Sequence, residues 1–149
     1  MLHWEADQKG RGRYQIHELL RQFAEEKLQE HMDDTAQVMA QHCRYYAQFT
    51  DQREDDLLGG RQQAAMAEIE AELNNIRAAW QWAIEQKEMT ALLQIGNPLT
   101  TFYWHQTRFQ EARVAYGAAV DCLEAIPASS ERDLALAAML TNLGLSLIH

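Results

Sequence analysis

The sequence predicts an all-α fold of antiparallel helical hairpins, preceded by a short N-terminal β-hairpin. Apolar residues recur at spacings of three and four over most of the chain, which is the period of a helix with one buried face. The 149 residues include only two prolines and seven glycines, so few residues interrupt these segments. No stretch after residue 16 alternates between apolar and polar residues as a half-buried strand does. We therefore expect about five or six helices after the hairpin.

The first 28 residues predict a β-hairpin that leads into a helix. Leu2, Trp4 and Ala6 alternate before a polar, glycine-bearing segment, and Tyr14 and Ile16 follow it, as in a hairpin. From residue 13 onward the apolar residues take helical spacing, so we expect one stripe of this helix to face a core. That stripe consists of Ile16, Leu19, Leu20, Phe23, Ala24 and Leu28.

Two further helices are expected before residue 88. The first starts near Asp33 and Thr35, which supply an N-cap and first-turn acidity, and it ends at about Phe49. Gly59 and Gly60 close the break that follows. The next helix, from about 61 to 87, has an apolar seam that favours pairing within the chain over a coiled-coil dimer. The seam residues are Met66, Ile69, Leu73, Ile76, Trp80 and Ala83.

The last third of the chain predicts three more helices. The first spans about 90 to 105, and Pro98 within it predicts a kink or a short break, because proline lacks a backbone donor. The second spans about 108 to 125 and is ended by Pro127. The third begins after Ser129, which reads as a cap, and carries Leu136, Leu140, Leu143 and Leu147 to the end of the chain.

These last helices fit a tetratricopeptide pattern, a repeat of two antiparallel helices. Phe109 takes the aromatic position that opens the second helix, and Ala112, Ala118 and Ala125 take small-residue positions. Gly144 then corresponds to Gln106, a spacing of 38 residues where about 34 is usual. The sequence thus predicts a tetratricopeptide-like superhelix, with an array of unspecific helical hairpins as the alternative.

Two phrases of the sequence resemble a known family. RYQIHELLRQFAEEKL, from Arg13 to Leu28, is similar to the end of the winged helix in bacterial signal-transduction ATPases with numerous domains. This is the family of regulators like the maltose activator and the antibiotic regulators of streptomycetes. EAELNNIRAAWQWAIEQ, from Glu70 to Gln86, resembles a second phrase of that family, and the two phrases stand in the family's order. The family's ATPase core is not represented, because the chain has no Gly-x4-Gly-Lys-Ser/Thr run.

The resemblance implies a three-part organisation. Residues 1–30 would end a winged-helix domain, residues 31–88 would form a linking helical hairpin, and residues 89–149 would begin tetratricopeptide-like repeats, truncated at the C-terminus. The chain is thus expected to be a segment of a larger regulator. In such regulators, ligand or partner binding on the repeats would be coupled to the nucleotide-binding core, which controls transcription or another effector.

Composition argues against unaided nucleic-acid binding. The net charge is −9, with 22 acidic and 13 basic residues, and a negative chain is repelled by the phosphate backbone. Lys9, Arg11 and Arg13 cluster on the expected wing, so a winged-helix fragment that contacts nucleic acid stays as the alternative function. No run of about 20 apolar residues occurs, and we expect a cytoplasmic protein without membrane contact.

No catalytic, cofactor-binding or metal-binding residues are expected. His17 and Glu18 begin like a zinc-protease HExxH helix, but Arg21 stands where the second histidine belongs. Cys43 and Cys122 lie in apolar helical patterns without further ligands nearby, which indicates buried reduced thiols. The chain is therefore expected to be a non-enzymatic interaction and sensor scaffold that binds no cofactor.

Two sets of residues are candidates for binding. The first would contact a protein, peptide or small effector on the helical repeats and consists of Tyr103, Trp104, Thr141 and Asn142. The second is an apolar stripe on the last helix, which predicts self-association into a homodimer. It consists of Leu140, Leu143, Leu147 and Ile148.

Overall fold

The computed structural model describes the backbone of residues 6–148 and the side chains of residues 15–148. Every regular element in this part of the chain is a helix, so the all-α prediction is confirmed. The helices are α1 (Ala6–Asp51), α2 (Glu54–Leu57), α3 (Gln62–Ala71), α4 (Leu73–Gln86), α5 (Met89–His105), α6 (Phe109–Glu124) and α7 (Ser130–Leu147). Across these described residues, none of the helices is both long and apolar enough to cross a membrane.

The chain divides into two compact units, Met1–Val38 and Met39–His149. The first contains the N-terminal part of α1. The second contains the remainder of α1 together with the other six helices. The division into winged-helix end, linking hairpin and repeats stays a prediction.

The predicted N-terminal β-hairpin does not agree with the structure, which has a helix over the described residues of that segment. Residues 7–16, expected to form its turn and second strand, lie in α1, while Leu2 and Trp4 lie outside the described residues. A single glycine inside a helix costs only about 1 kcal/mol relative to alanine, so Gly10 and Gly12 do not stop α1. A two-stranded hairpin this short is itself only marginally stable.

The predicted helix boundary near residue 33 is also absent, because α1 continues to Asp51. Asp33 and Thr35 act inside the helix instead of capping a new one. Gln29 Nε2 donates to Asp33 Oδ1 over 3.1 Å, and Thr35 Oγ1 donates to the His31 carbonyl over 2.9 Å. No proline or glycine lies between Arg13 and Asp51, so nothing in this stretch forces the helix to end.

Apart from the half-buried Ile16, the apolar stripe of the first unit is exposed, which corrects the expectation that it faces a core. Its larger members include Leu19, Phe23 and Leu28, exposed at 64%, 58% and 60%. Met32 and Val38 are exposed to a similar degree. The helix that carries the stripe was predicted correctly, but within the first unit no described element covers these side chains.

The second unit is built around a core to which every one of its helices contributes. The C-terminal part of α1 supplies Cys43 and Ala47, α2 supplies Leu57, and α3 to α7 supply the rest. The largest fully buried side chains include Phe102, Tyr116, Ile76 and Met139. The seam predicted for residues 66–83 is therefore a core face, although the helix that carries it is divided at Glu72, between α3 and α4.

Pro98 lies inside α5, which runs without a break from Met89 to His105. The expected interruption is therefore not a boundary between helices. Around this position, Thr100 Oγ1 and Tyr116 Oη both donate to the Gly96 carbonyl, over 3.2 and 2.7 Å. The hydrogen bond from Tyr116 ties the Pro98 turn of α5 to α6, whereas that from Thr100 lies within α5.

The last helices stack as a helical repeat does. Tyr103 on α5 bonds to Glu111 early in α6, and Gly96 bonds to Tyr116 further along, so α5 and α6 are antiparallel. Arg113 near the start of α6 bonds to the Ser146 carbonyl near the end of α7, so α6 and α7 are antiparallel too. The helix α7 packs against both of its predecessors and is parallel to α5. This is the order in which hairpins stack in repeat proteins.

Four of the seven buried positions of α5 recur in α7 after 43 residues, whereas the predicted spacing was 38. Leu92, Gly96, Leu99 and Tyr103 are buried on α5, and so are their counterparts on α7: Ala135, Met139, Asn142 and Ser146. On α6 the fully buried small residues are Ala112 and Ala119, whereas Ala118 is half-buried and Ala125 is exposed. The sequence predicted the repeat arrangement of the helices, but it did not predict which residues of α5 and α7 correspond.

Candidate functional site

The predicted partner-binding residues lie at one end of the second unit, where the C-terminal ends of α5 and α7 meet the start of α6. Trp104 is 41% exposed, and its ring packs edge-on against Phe109 with the centroids 5.0 Å apart. Thr141 is exposed on α7, and its hydroxyl donates back to the Ala137 carbonyl over 2.9 Å. Of the four candidates, these two side chains are available to a partner.

Tyr103 and Asn142 are buried, at 3% and 7% exposure. Asn142 Nδ2 donates to Asn97 Oδ1 over 3.1 Å, which joins α7 to α5. Together with Trp104, these two residues line a narrow cavity of about 10 Å³, room for one water molecule at most. Thr141 does not line it. The structure thus brings three of the four candidates together around a gap too small for an organic ligand.

Tyr103 belongs to a polar network that joins α4, α5 and α6. Its hydroxyl donates to Glu111 Oε2 over 3.2 Å. Arg77 donates to the same carboxylate from Nε and Nη2, both over 2.8 Å. The Arg77 hydrogen bond lowers the pKa of Glu111 below its usual value. Burial raises the pKa of the Tyr103 hydroxyl, and the nearby Glu111 charge raises it further. Tyr103 is therefore a neutral donor at physiological pH, and its role here is structural.

The predicted self-association residues form an exposed apolar surface on α7. Leu140, Leu147 and Ile148 are exposed at 47%, 58% and 70%, whereas Leu143 is half-buried and packs on the core. No charged residue occurs from Leu134 to Ile148. We call this exposed and uncharged part of α7 the α7 face, and it has the character of a surface that another helix covers.

A second cavity, which sequence reasoning missed, lies between the C-terminal part of α1 and the start of α5. Its volume is about 330 Å³, within the range of small-molecule sites. Arg44 and Gln48 line it from α1, Glu88 and Gln94 from the start of α5, and Trp82 from the end of α4. We call it the α1–α5 pocket. The sequence feature that could have indicated this pocket is the set of alanines at 40, 47 and 91. Such small side chains leave room between facing helices.

The two cysteines are reduced thiols with structural contacts. Cys43 is buried, and its Sγ donates to the Ala79 carbonyl at 3.5 Å, while Cys122 Sγ donates to the Ile84 carbonyl at 3.3 Å. Burial raises the pKa of Cys43 to about 11, so it holds its proton at neutral pH. Within the described residues, no group of histidine, cysteine, aspartate and glutamate side chains is arranged to hold a metal ion.

Comparison with known proteins relates the chain to transcription regulators. It is 31% identical over 109 residues to proteins of Mycobacterium bovis and Mycobacterium tuberculosis that bear the name "Putative HTH-type transcriptional regulator". The similarity covers 70% of this chain but only 12% of each mycobacterial protein, so the chain spans about an eighth of their length. No protein-family model and no solved structure matches it.

Proposed function

We propose that this chain is a non-catalytic helical segment of a transcription regulator of the signal-transduction ATPase family. Its tetratricopeptide-like hairpins, α5 to α7, would bind a partner or effector and pass that signal to the nucleotide-binding core. The observation that carries the proposal is the stacking of α5, α6 and α7, which ends in the uncharged α7 face. Stacked hairpins form extended surfaces that recognise peptides and proteins.

The comparisons support the regulatory part of this proposal. The mycobacterial proteins carry a transcription-regulator name and are much longer than the matched segment. The phrases at 13–28 and 70–86, which resemble the ATPase family, supply the finer assignment. On this proposal the protein acts in the cytoplasm, binds no cofactor within this segment and has no enzymatic activity of its own.

A reporter assay in cells that express the intact regulator tests the proposal. Trp104→Ala with Thr141→Ala changes the two exposed candidates near the end of the stack, and we expect a loss of inducer-dependent transcription at unchanged protein level. Gln86→Ala, on an exposed side chain at the end of α4, is the matched control. Full induction in the double variant would show that this surface does not receive the signal.

The alternative function is direct contact with nucleic acid. Its support is the HTH-type name of the mycobacterial proteins and the basic residues Lys9, Arg11 and Arg13, whose side chains lie outside those that the structure describes. The net charge of −9 opposes it. An electrophoretic shift of duplex DNA by this chain at low salt, abolished when the three residues are changed to glutamine, would favour the alternative.

A further inference from the structure

The α1–α5 pocket combines features of a built site. On one wall, Arg44 and Gln48 are one helical turn apart on α1. On the other, Glu88 occupies the N-cap position of α5 and Gln94 follows six residues later. Trp82 adds a half-buried aromatic surface. The floor includes Cys43 and small side chains, so the pocket has an apolar base and a polar rim, the usual composition of a small-molecule site.

Among the described residues, the two charged side chains of this pocket have no hydrogen-bond or ion-pair partner. Among the arginines whose side chains the structure describes, only Arg44 makes neither a hydrogen bond nor an ion pair. The Glu88 carboxylate likewise has no such partner among the described residues, and the two charges do not pair with each other. Both nevertheless act on the Cys43 thiol, whose pKa Glu88 raises and Arg44 lowers. A cation and an anion therefore face the same space, and each is free to take a ligand group.

We propose that the α1–α5 pocket binds a small zwitterion of the amino-acid type. The ligand's carboxylate would accept from the Arg44 guanidinium, which suits planar carboxylates. Its ammonium would lie against the Glu88 carboxylate and the face of Trp82, where cation–π attraction adds to the ion pair. Gln48 and Gln94 are available for the remaining polar atoms. The volume of about 330 Å³ lies at the low end of ligand pockets, which favours one amino acid over a longer peptide.

The proposal goes beyond the regulatory function and does not depend on it, because binding is measured on this chain alone. Calorimetric titration with each standard L-amino acid identifies the best probe. We expect at least one to bind the unaltered chain, with Arg44→Gln and Glu88→Gln each weakening it about tenfold or more. Lys87→Gln and Glu124→Gln, exposed charges that do not line the pocket, are the matched controls and should bind normally.

Modified probes separate the two charges. The N-acetyl derivative of the best amino acid lacks the ammonium, so its affinity should respond to Arg44→Gln but not to Glu88→Gln. The amide derivative lacks the carboxylate, and the pattern should reverse. Equal responses of both derivatives to both variants would overturn the assignment of the two groups, and absence of binding by every amino acid would overturn the proposal.

A filled pocket provides an independent check. Ala91→Leu adds bulk to the pocket lining without changing any charge, and we expect it to abolish binding while the circular dichroism spectrum stays helical. If this variant fails to fold, the surface variants at 44 and 88 still decide the question. Normal binding by a folded Ala91→Leu chain would place the ligand elsewhere and contradict the proposal.

Discussion

At the scale of single residues, Glu111 is the best-connected carboxylate of the second unit. It accepts two hydrogen bonds from Arg77, one on each oxygen, and a third from the Tyr103 hydroxyl on Oε2. We expect Glu111→Gln to cost about 1 kcal/mol at neutral pH, because the ion pair is partly exposed while the tyrosine donor is buried. Urea unfolding of the variant beside the unaltered chain measures this difference.

The difference in unfolding free energy between Glu111→Gln and the unaltered chain should depend on pH. The pKa of Glu111 is lowered in the folded state, so its stabilising effect is present above the ordinary glutamate pKa of about 4.3. The effect is lost as the pH falls through the folded-state value. The difference between Glu111→Gln and the unaltered chain should therefore shrink below about pH 4. A difference that stays constant into acid would mean that the carboxylate charge is not what stabilises the network.

Gly96 lies buried in α5, where the surrounding side chains leave no room for a Cβ atom. A Cβ atom at this position would lie 2.9 Å from Met139 Cε and 3.3 Å from Trp80 Cη2. Met139 can yield only partly, since it is itself fully buried. We expect Gly96→Ala to destabilise the fold by about 1–3 kcal/mol, the usual cost of overpacking, as measured by thermal or urea unfolding.

Gly117 provides the matched control, because it also lies within a helix but has nothing within 4 Å of a Cβ position. Gly117→Ala should stabilise the chain by up to about 1 kcal/mol through helix propensity. Stabilisation by Gly96→Ala to the same extent would show that Met139 and Trp80 are packed more loosely than the structure has them.

At the scale of elements, the sequence predicted best where local signals are strong. The Ser129 cap is present, with its side chain accepting from the Arg132 backbone N–H over 3.0 Å, and α7 begins at Ser130. The boundaries of α5 and α6 lie within two residues of the predicted ones. A cap or a proline acts on its own turn of helix, so it can be recognised without knowledge of tertiary contacts.

Long-range effects explain the elements that were missed. Thr35 reads as a cap, yet its hydroxyl bonds back to His31 within α1, a choice that threonine makes according to the surrounding backbone. The stripe near Phe23 has helical spacing, which indicates a helix but not what covers it. Periodicity therefore predicted the secondary structure of residues 13–28 and could not predict their exposure.

The face of α4 gives a prediction at this scale. Leu73 and Ile76 are buried, at 4% and 0% exposure, so Leu73→Ala or Ile76→Ala should cost about 2–5 kcal/mol through lost burial and the cavity left behind. Denaturant unfolding of the two variants measures the loss. A cost below about 1 kcal/mol at both positions would contradict the packing of α4 described above.

Glu72, next to Leu73 in sequence, is not a suitable control for that experiment. Its Oε2 accepts from the Tyr46 hydroxyl and from Asn75 Nδ2, both over 2.9 Å. The appropriate control is Gln86→Ala on the same helix, where an exposed side chain has no such partner among the described residues. Its effect should stay within about 0.5 kcal/mol.

At the scale of the whole molecule, the candidate binding residues show what a register error does. The predicted and observed repeat spacings differ by five residues, which is about 140° around a helix at 3.6 residues per turn. A spacing of 38 residues pairs Trp104 with Asn142, which is an exposed position with a buried one. The α1–α5 pocket was beyond sequence reasoning for a related reason, since it depends on how separate helices approach one another.

The α7 face gives the last prediction, self-association of the chain. Leu140, Leu147 and Ile148 are largely exposed, and full burial of such side chains is worth roughly 1.5–3 kcal/mol each. A second copy offers the same uncharged surface, and a two-fold contact is the simplest closed arrangement. Light scattering over a concentration series should therefore show a monomer–dimer equilibrium.

Two variants of α7 test whether this surface forms the contact. Leu140→Gln with Leu147→Gln should shift the equilibrium to monomer without loss of helix, because both side chains lie outside the core. Leu134→Gln, which is also exposed but lies further toward the N-terminus of α7, should weaken the dimer less. An unaltered chain that stays monomeric at every concentration, with its last helix protected from hydrogen exchange, would show that the α7 face is stable in water and needs no second copy.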